Sequence, residues 1–230
     1  MDAVSTNALN WTSSHLRRYG DTDIFPRPFE IDGILANWQD VEAHLSAIDL
    51  ETHESSATLQ VLAPKGAFGF RAVTQLDPYD TILYLATIFE AATQVESLRT
   101  APEARVACSY RVAPQMDGQL FVGGSGWQDY HARSLELAQN DETAFVATAD
   151  ISDFYNQIYH HRVENALETA GVPRGRAKNI EHFLGILTAR QSRGVPVGPT
   201  PSIVLAEAAL ADVDDFIARK GFPHKRYVDD

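Results

Sequence analysis

Two aspartate-bearing segments lie far apart in the chain, and a fold for this sequence either unites them or leaves each as an ordinary turn. The first is TAFVATADI at residues 143–151, followed by Ser152 and Asp153. The second is Tyr227-Val228-Asp229-Asp230. Residues 143–151 read as a buried strand that ends at Asp150 and passes into a helical pattern over 154–167. Uniting Asp150 with Asp229 then takes a sheet that lays the two segments side by side. An aspartate at a strand end is common and an Asp-Asp pair is ordinarily a solvated turn, so the constraint lies in the ordered pair.

The intervening sequence is strongly punctuated. RGVPVGPTP at 193–201 is a turn-rich loop leading into the strongest helix signal in the chain. Thr200 serves as a cap and Pro201 as first helical residue, with Val204, Leu205, Ala208, Val213, Phe216 and Ile217 on the apolar face. Arg219 and Lys220 occupy the last turn, Gly221 is the stop and Pro223 follows. Upstream, residues 59–74 read as two short strands around a Pro-Lys-Gly turn. A helix then starts with Asp77 as cap, Pro78 at the first position and Asp80 complementing the dipole, and Ile82, Leu85, Phe89 and Ala92 mark its buried face. Between 102 and 127 lie β-like pieces at 105–112 and 119–122. Gly123-Gly124-Ser125-Gly126 is expected to be a turn, because no Gly-Lys-Ser/Thr follows to make a phosphate loop. Nor is it a nucleophile elbow, since Trp127 stands where the last glycine would be. Residues 1–30 are polar and mixed, and read as a loosely held arm. The order of elements predicts an α+β fold with carboxylates at a sheet edge.

Composition narrows the class. With 44% hydrophobic and 22% charged residues the chain is an ordinary globular one. No apolar run approaches the ~20 residues that span a bilayer, and the N-terminus lacks a signal-peptide pattern, so a cytoplasmic protein without a membrane partner is expected. The single Cys108 excludes an internal disulfide. A net charge of -12 speaks against a nucleic-acid binder, which is usually basic. Locally, Arg162, Arg174, Arg176, Lys178, Arg190 and Arg193 form one basic run, and Arg219, Lys220, Lys225 and Arg226 another; a positive channel or a solvated helix face explains either. His160 and His161 point in different directions on a helix, so they are expected to be solvated or backbone-bonded and not zinc ligands. Trp11, Trp38 and Trp127 read as packing residues, with base stacking as the alternative for one of them.

Converging aspartates suit hard cations, which take oxygen ligands. Without metal such carboxylates would repel by ~1–4 kcal/mol per pair, depending on the local dielectric. In this light Ala149-Asp150-Ile151-Ser152-Asp153-Phe154-Tyr155 resembles the first palm motif of reverse transcriptases. Residues 194–202, GVPVGPTPS, resemble the second, and Tyr227-Val228-Asp229-Asp230 is similar to the Tyr-x-Asp-Asp box. Pro64-Lys65 and Phe70-Arg71 resemble fingers residues that meet the incoming triphosphate. The resemblance covers roughly residues 59–230, and the runs IYHHRVENAL and IVLAEAALADVD are most similar to bacterial abortive-infection and phage-defence members.

The resemblance implies an RNA-directed DNA polymerase fold of fingers and palm, with an antiparallel palm sheet backed by helices, truncated before the end of the palm and the thumb. It implies an arm at 1–30, fingers at 31–143 and palm at 144–230 with a helical insertion at about 168–192. It assigns two Mg²⁺ ions, or Mn²⁺, to Asp150, Asp229 and Asp230, with the Ile151 carbonyl as a further ligand. Tyr155 would lie under the sugar and exclude a 2′-hydroxyl, Lys65 and Arg71 would neutralise triphosphate charge, and Gly198 would let backbone approach nucleotide or template. Tyr155 as a core aromatic, and Lys65 and Arg71 as hairpin surface residues, are the bland readings. The implied partners are an RNA template, a DNA or RNA primer and deoxynucleoside triphosphates, with a role in antiphage defence. Val197 stands where many members have Gln, and the box would normally be a hairpin turn, so the chain alone is expected to be inactive. Alternatives are untemplated or protein-primed synthesis, a non-catalytic RNA-binding scaffold, and a nucleotidyl cyclase, which would lack the Gly/Pro loop and helix between the aspartates.

Overall fold

The computed structural model describes residues 2–123 and 126–229. Its architecture is α+β: helices around one apolar core, with a two-stranded antiparallel sheet at one side. Asp77 caps helix α4, Pro78–Leu98, by accepting from the Tyr79 N–H at 2.9 Å, and Pro78 takes the first turn. α4 buries residues all round from Asp80 to Ile88 and packs on both α1 (Thr6–Tyr19) and α9 (Thr200–Arg219). A helix apolar on every side belongs at the centre of a core. The Tyr84 hydroxyl, fully buried, meets the Ser202 hydroxyl at 3.0 Å and ties α4 to α9.

The N-terminal segment is not a loose arm. Its polar residues Asn7, Asn10, Arg17 and Arg18 face outward, while Ala8, Leu9, Trp11 and Leu16 are buried. Ser5 caps the helix through the Ala8 N–H, and Trp11 stacks on Phe89 of α4 with ring centroids 4.4 Å apart. Burying each large side chain of this kind stabilises by about 1.5–3 kcal/mol. A window average of polarity concealed a helical face.

The hairpin forms as expected, with β1 (Leu59–Lys65) paired to β2 (Gly69–Gln75) in the register Ala63 to Arg71. Val73 is fully buried on its inner face, whereas Phe68 at the tip is fully exposed. Two short helices, α2 (Phe29–Ala36) and α3 (Trp38–Leu45), pack on α1. Past the 3₁₀ turn Pro102–Ala104, the pieces expected to be strands at 105–112 and 119–122 make only isolated bridges, Val112 with Phe121 and Ala107 with Arg226. The exposed helix α5, Trp127–Ala138, follows; Gly124 and Ser125 of the expected glycine turn lie outside the described residues.

The buried strand expected at 143–151 is absent. Residues 143–150 have no regular structure and are exposed, with Phe145 at 94% and Val146 at 64%. A strand needs a neighbour to satisfy its peptide groups, and sheet-like pairing here reaches only its end, where the Ile151 N–H donates to the Asp229 carbonyl. The palm sheet is therefore not formed among the described residues. The helical pattern after it is split into α6 (Phe154–Gln157) and α7 (His160–Thr169), because Ile158 turns extended between them. α8 (Arg174–Leu187) packs on α7, and α7 also packs on α9. α9 begins at Thr200 directly after Pro199, which places Pro201 in its first turn, and Gly221 just beyond it has φ +79°. No described helix is long and apolar enough to cross a membrane.

Candidate active site

The two aspartate segments meet. Arg226 donates its N–H to Val106 at 2.9 Å and accepts from the Cys108 N–H at 2.9 Å, and three residues later Asp229 accepts from Ile151 at 3.2 Å. Residues 226–229 thus lie between 106–108 on one side and 151 on the other. Asp150 and Ile151 are exposed, and Asp229 is half-buried. Asp230, expected as a further ligand, lies outside the described residues.

The turn carrying Asp229 rests on a buried ionic network. Glu207 and Asp214, seven residues apart on α9, are 2% and 1% exposed. Arg226 spans both, reaching Asp214 at 2.7 Å and Glu207 at 2.8 Å, and its Nη1 donates to the Val228 carbonyl at 2.6 Å. Arg99, also buried, reaches Glu207 at 2.7 Å and Glu96 at 2.9 Å, and Arg111 closes the chain on Glu96 at 2.6 Å. Ser109 accepts from the Val228 N–H at 3.0 Å and donates to Glu207 at 3.2 Å. Burial works against the Arg226 charge, but the hydrogen bonds and charges of Asp214 and Glu207 outweigh it and hold the guanidinium above its ordinary pKa. Val228 is held at φ +59°, a left-handed conformation that a β-branched residue seldom adopts. Both peptide groups of Val228 are therefore clamped, by Ser109 and Arg226, in a strained turn.

Tyr155, half-buried, packs against the core. Burial raises its hydroxyl pKa, and the charges of Tyr110, Glu207 and Asp229 raise it further. Tyr110 is raised for the same first reason, with Tyr227, Asp23 and Glu207 adding and Arg71 opposing. Tyr155 thus feels Tyr110 and Asp229, and Tyr110 feels Arg71. Lys65 lies further out, opposite Gly69 at the turn end of the hairpin, and is exposed.

The loop 193–199 is fastened beside Tyr155. The Tyr155 carbonyl accepts from the Val195 N–H at 2.9 Å, and that of Ile158 from Gly194 at 2.8 Å. His160 is buried and its Nε2 donates to the Gly194 carbonyl at 2.6 Å, so this histidine is backbone-bonded as expected. Thr74 of β2 donates to the Val197 carbonyl at 2.8 Å. Gly198, at φ +115°, is needed for a close approach, but the neighbour is protein: an added Cβ would lie 2.7 Å from Val73 Cγ1 and 3.4 Å from Thr22 Oγ1. The glycine seats the loop against the hairpin.

Most of the first basic run is spent on internal pairs: Arg162 with Asp212, Arg174 with Glu168, Arg176 with Asp2 and Glu90, and Arg193 with Gln157. Lys178 and Arg190 line a cavity of about 550 Å³ with His53, His160 and His182. Arg226 belongs to the buried network, not to a channel. Sequence reasoning missed Glu207, Asp214, Arg99 and Ser109; the available signal was two acids at helical spacing in an otherwise apolar stretch of α9.

Asp150, Asp229 and the Ile151 carbonyl offer oxygen donors only, the set that Mg²⁺ prefers. Among the described residues no group of three or more His, Cys, Asp or Glu side chains is gathered that could hold a metal ion. No family model matches the chain, and no curated protein matches it.

Proposed function

We propose that these residues form the fingers and palm of an RNA-directed DNA polymerase, adding deoxynucleotides to a primer 3′-hydroxyl on an RNA template. The observation that carries the reading is the Ile151 to Asp229 backbone bond, which brings together two segments that resemble separate palm motifs. Their carboxylates come from Asp150, Asp229 and, in this reading, Asp230. Mg²⁺ held there would neutralise phosphate charge and activate the primer hydroxyl. The other residues position and select. In this reading the Tyr155 ring would exclude a 2′-hydroxyl, and the loop through Gly198 is fixed to both Tyr155 and β2. Arg71, exposed on β2, would likewise meet the triphosphate, with Lys65 following it toward the tip.

The test is primer extension by the intact cellular protein that carries these residues, with Mg²⁺, a primed RNA template and labelled deoxynucleotides, beside Asp150→Asn. Template-dependent product lost in the variant supports the reading. Product made without template replaces it with untemplated or protein-primed synthesis. RNA binding without product from any template replaces it with a non-catalytic scaffold.

A further inference from the structure

Helix α5 holds no buried residue, yet it presents a cluster of aromatic rings. Trp127, 54% exposed, stands edge-to-face with Tyr227, ring centroids 5.7 Å apart and planes at 81°. Tyr130, one turn along, lies 5.4 Å from Trp127 and 6.0 Å from Tyr227. These contacts join α5 to the turn that carries Asp229. Rings recruited for packing alone would be covered, as Trp11 is at 6%; Trp127 keeps more than half its surface in solvent.

Cations stand near the rings: Arg133 is one turn from Tyr130 on α5, and Lys225 is two residues before Tyr227. Lys225 donates to the Arg105 carbonyl at 2.6 Å. Burial lowers its pKa, and the positive charges of Arg133 and Arg105 lower it further against Cys108 and Glu136. Arg133 is bonded to Asp129 at 2.7 Å. Among the charged groups that act on Lys225 or pair with Arg133, the cations Arg105, Arg133 and Lys225 stand with Asp129 and Glu136. Aromatic faces flanked by cations are the chemistry that holds single-stranded nucleic acid: each base offers a π-face, and the backbone offers phosphates.

We propose that Trp127 and Tyr130 form a stacking platform for an unpaired base of a single-stranded nucleic acid, with Arg105, Arg133 and Lys225 facing its backbone. The platform adjoins Tyr227, so it rests on the polymerase reading for what the strand does there: it would steady an unpaired nucleotide next to the reacting end.

The test is fluorescence anisotropy of the full chain with labelled (dT)₁₂, (rU)₁₂ and an abasic strand of equal length. Wild type is expected to bind the base-bearing strands more tightly than the abasic one. Trp127→Ala should weaken base-bearing strands at least about fivefold, from the ~1–3 kcal/mol of one base–aromatic stack, leave the abasic strand unchanged, and retain the wild-type circular dichroism. Trp127→Phe should restore most of the affinity. A preference for (dT)₁₂ or (rU)₁₂, lost in Trp127→Ala, identifies the strand. Equal binding of abasic and base-bearing strands by wild type, or affinity unmoved in a Trp127→Ala/Tyr130→Ala variant, overturns the platform. Base-dependent binding through Trp127 without Asp150-dependent extension keeps the platform and removes the polymerase reading; extension without base-dependent binding does the reverse.

Discussion

Replacing Arg226 by methionine keeps most of the buried volume and removes one charge from a balanced set. Arg99, Arg111 and Arg226 face Glu96, Glu207 and Asp214 in the ion pairs of the network. After the change Glu207 still has Arg99 at 2.7 Å and Ser109 at 3.2 Å, while Asp214 is left facing His224 at 3.5 Å. Breaking a buried pair from one side costs about 3–5 kcal/mol, because the surviving charge stays out of water. That is a large part of the ~5–15 kcal/mol by which a domain is usually stable. The burden falls on Asp214, so Asp214→Asn should return part of the loss in the Arg226→Met background. The same change in wild type should destabilise. Urea unfolding of the four proteins, with unchanged m-values, measures the cycle. An Arg226→Met protein within about 1 kcal/mol of wild type, or a double variant no more stable than the single, would refute the argument.

Gly198→Ala should cost about 1–3 kcal/mol, since its φ of +115° and the fully buried Val73 leave the methyl no room. Gly118→Ala should cost more, because its methyl would lie 2.4 Å from the His15 backbone nitrogen, which no side-chain rotation relieves; thermal unfolding ranks the two. Burial lowers the pKa of both His15 and His160, against the opposing bonds to the Gly118 and Gly194 carbonyls. The unfolded chain then binds protons first, so stability present above the ordinary histidine value of about 6.5 is lost as pH falls through the lowered folded values. Urea midpoints measured from neutrality to about pH 5 should decline, less steeply in His160→Asn. Tyr155→Ala should admit ribonucleotides in single-nucleotide incorporation while Asp150→Asn abolishes both substrates.

Local signals carried much of the fold. Asp77-Pro78 marks the start of α4, Gly221 the end of α9 and Gly66 the β1–β2 turn, because each is decided by a few neighbouring residues; the turn falls at 66–68, since Pro64 and Lys65 pair within β1. The errors arose where partners are distant. Residues 143–150 have strand composition, but a strand is a property of a pair, and only Ile151 finds one. Asn7 and Arg17 made α1 look like a solvated arm, although Leu9, Trp11 and Leu16 recur at helical spacing. Phe216, assigned to the apolar face of α9, is 55% exposed, and the buried face runs instead through Glu207 and Asp214. No local rule buries two acids. Their place follows from Arg226 and Arg99, which reach them from separate parts of the chain. In the candidate site, the aspartates and Tyr155 were legible as residues, whereas the clamp on Val228 by Ser109 and Arg226 was not.

On the polymerase reading, Asp150 and Asp229 both hold the metal pair. Mn²⁺ titration of the chain with a deoxynucleoside triphosphate present, followed by electron paramagnetic resonance, tests it through Asp150→Asn, Asp229→Asn and the neighbouring control Asp153→Asn. The account predicts that either of the first two removes the tight protein-bound signal and the third leaves it. Binding that survives Asp150→Asn and Asp229→Asn, or that depends on Asp153 instead, would contradict it.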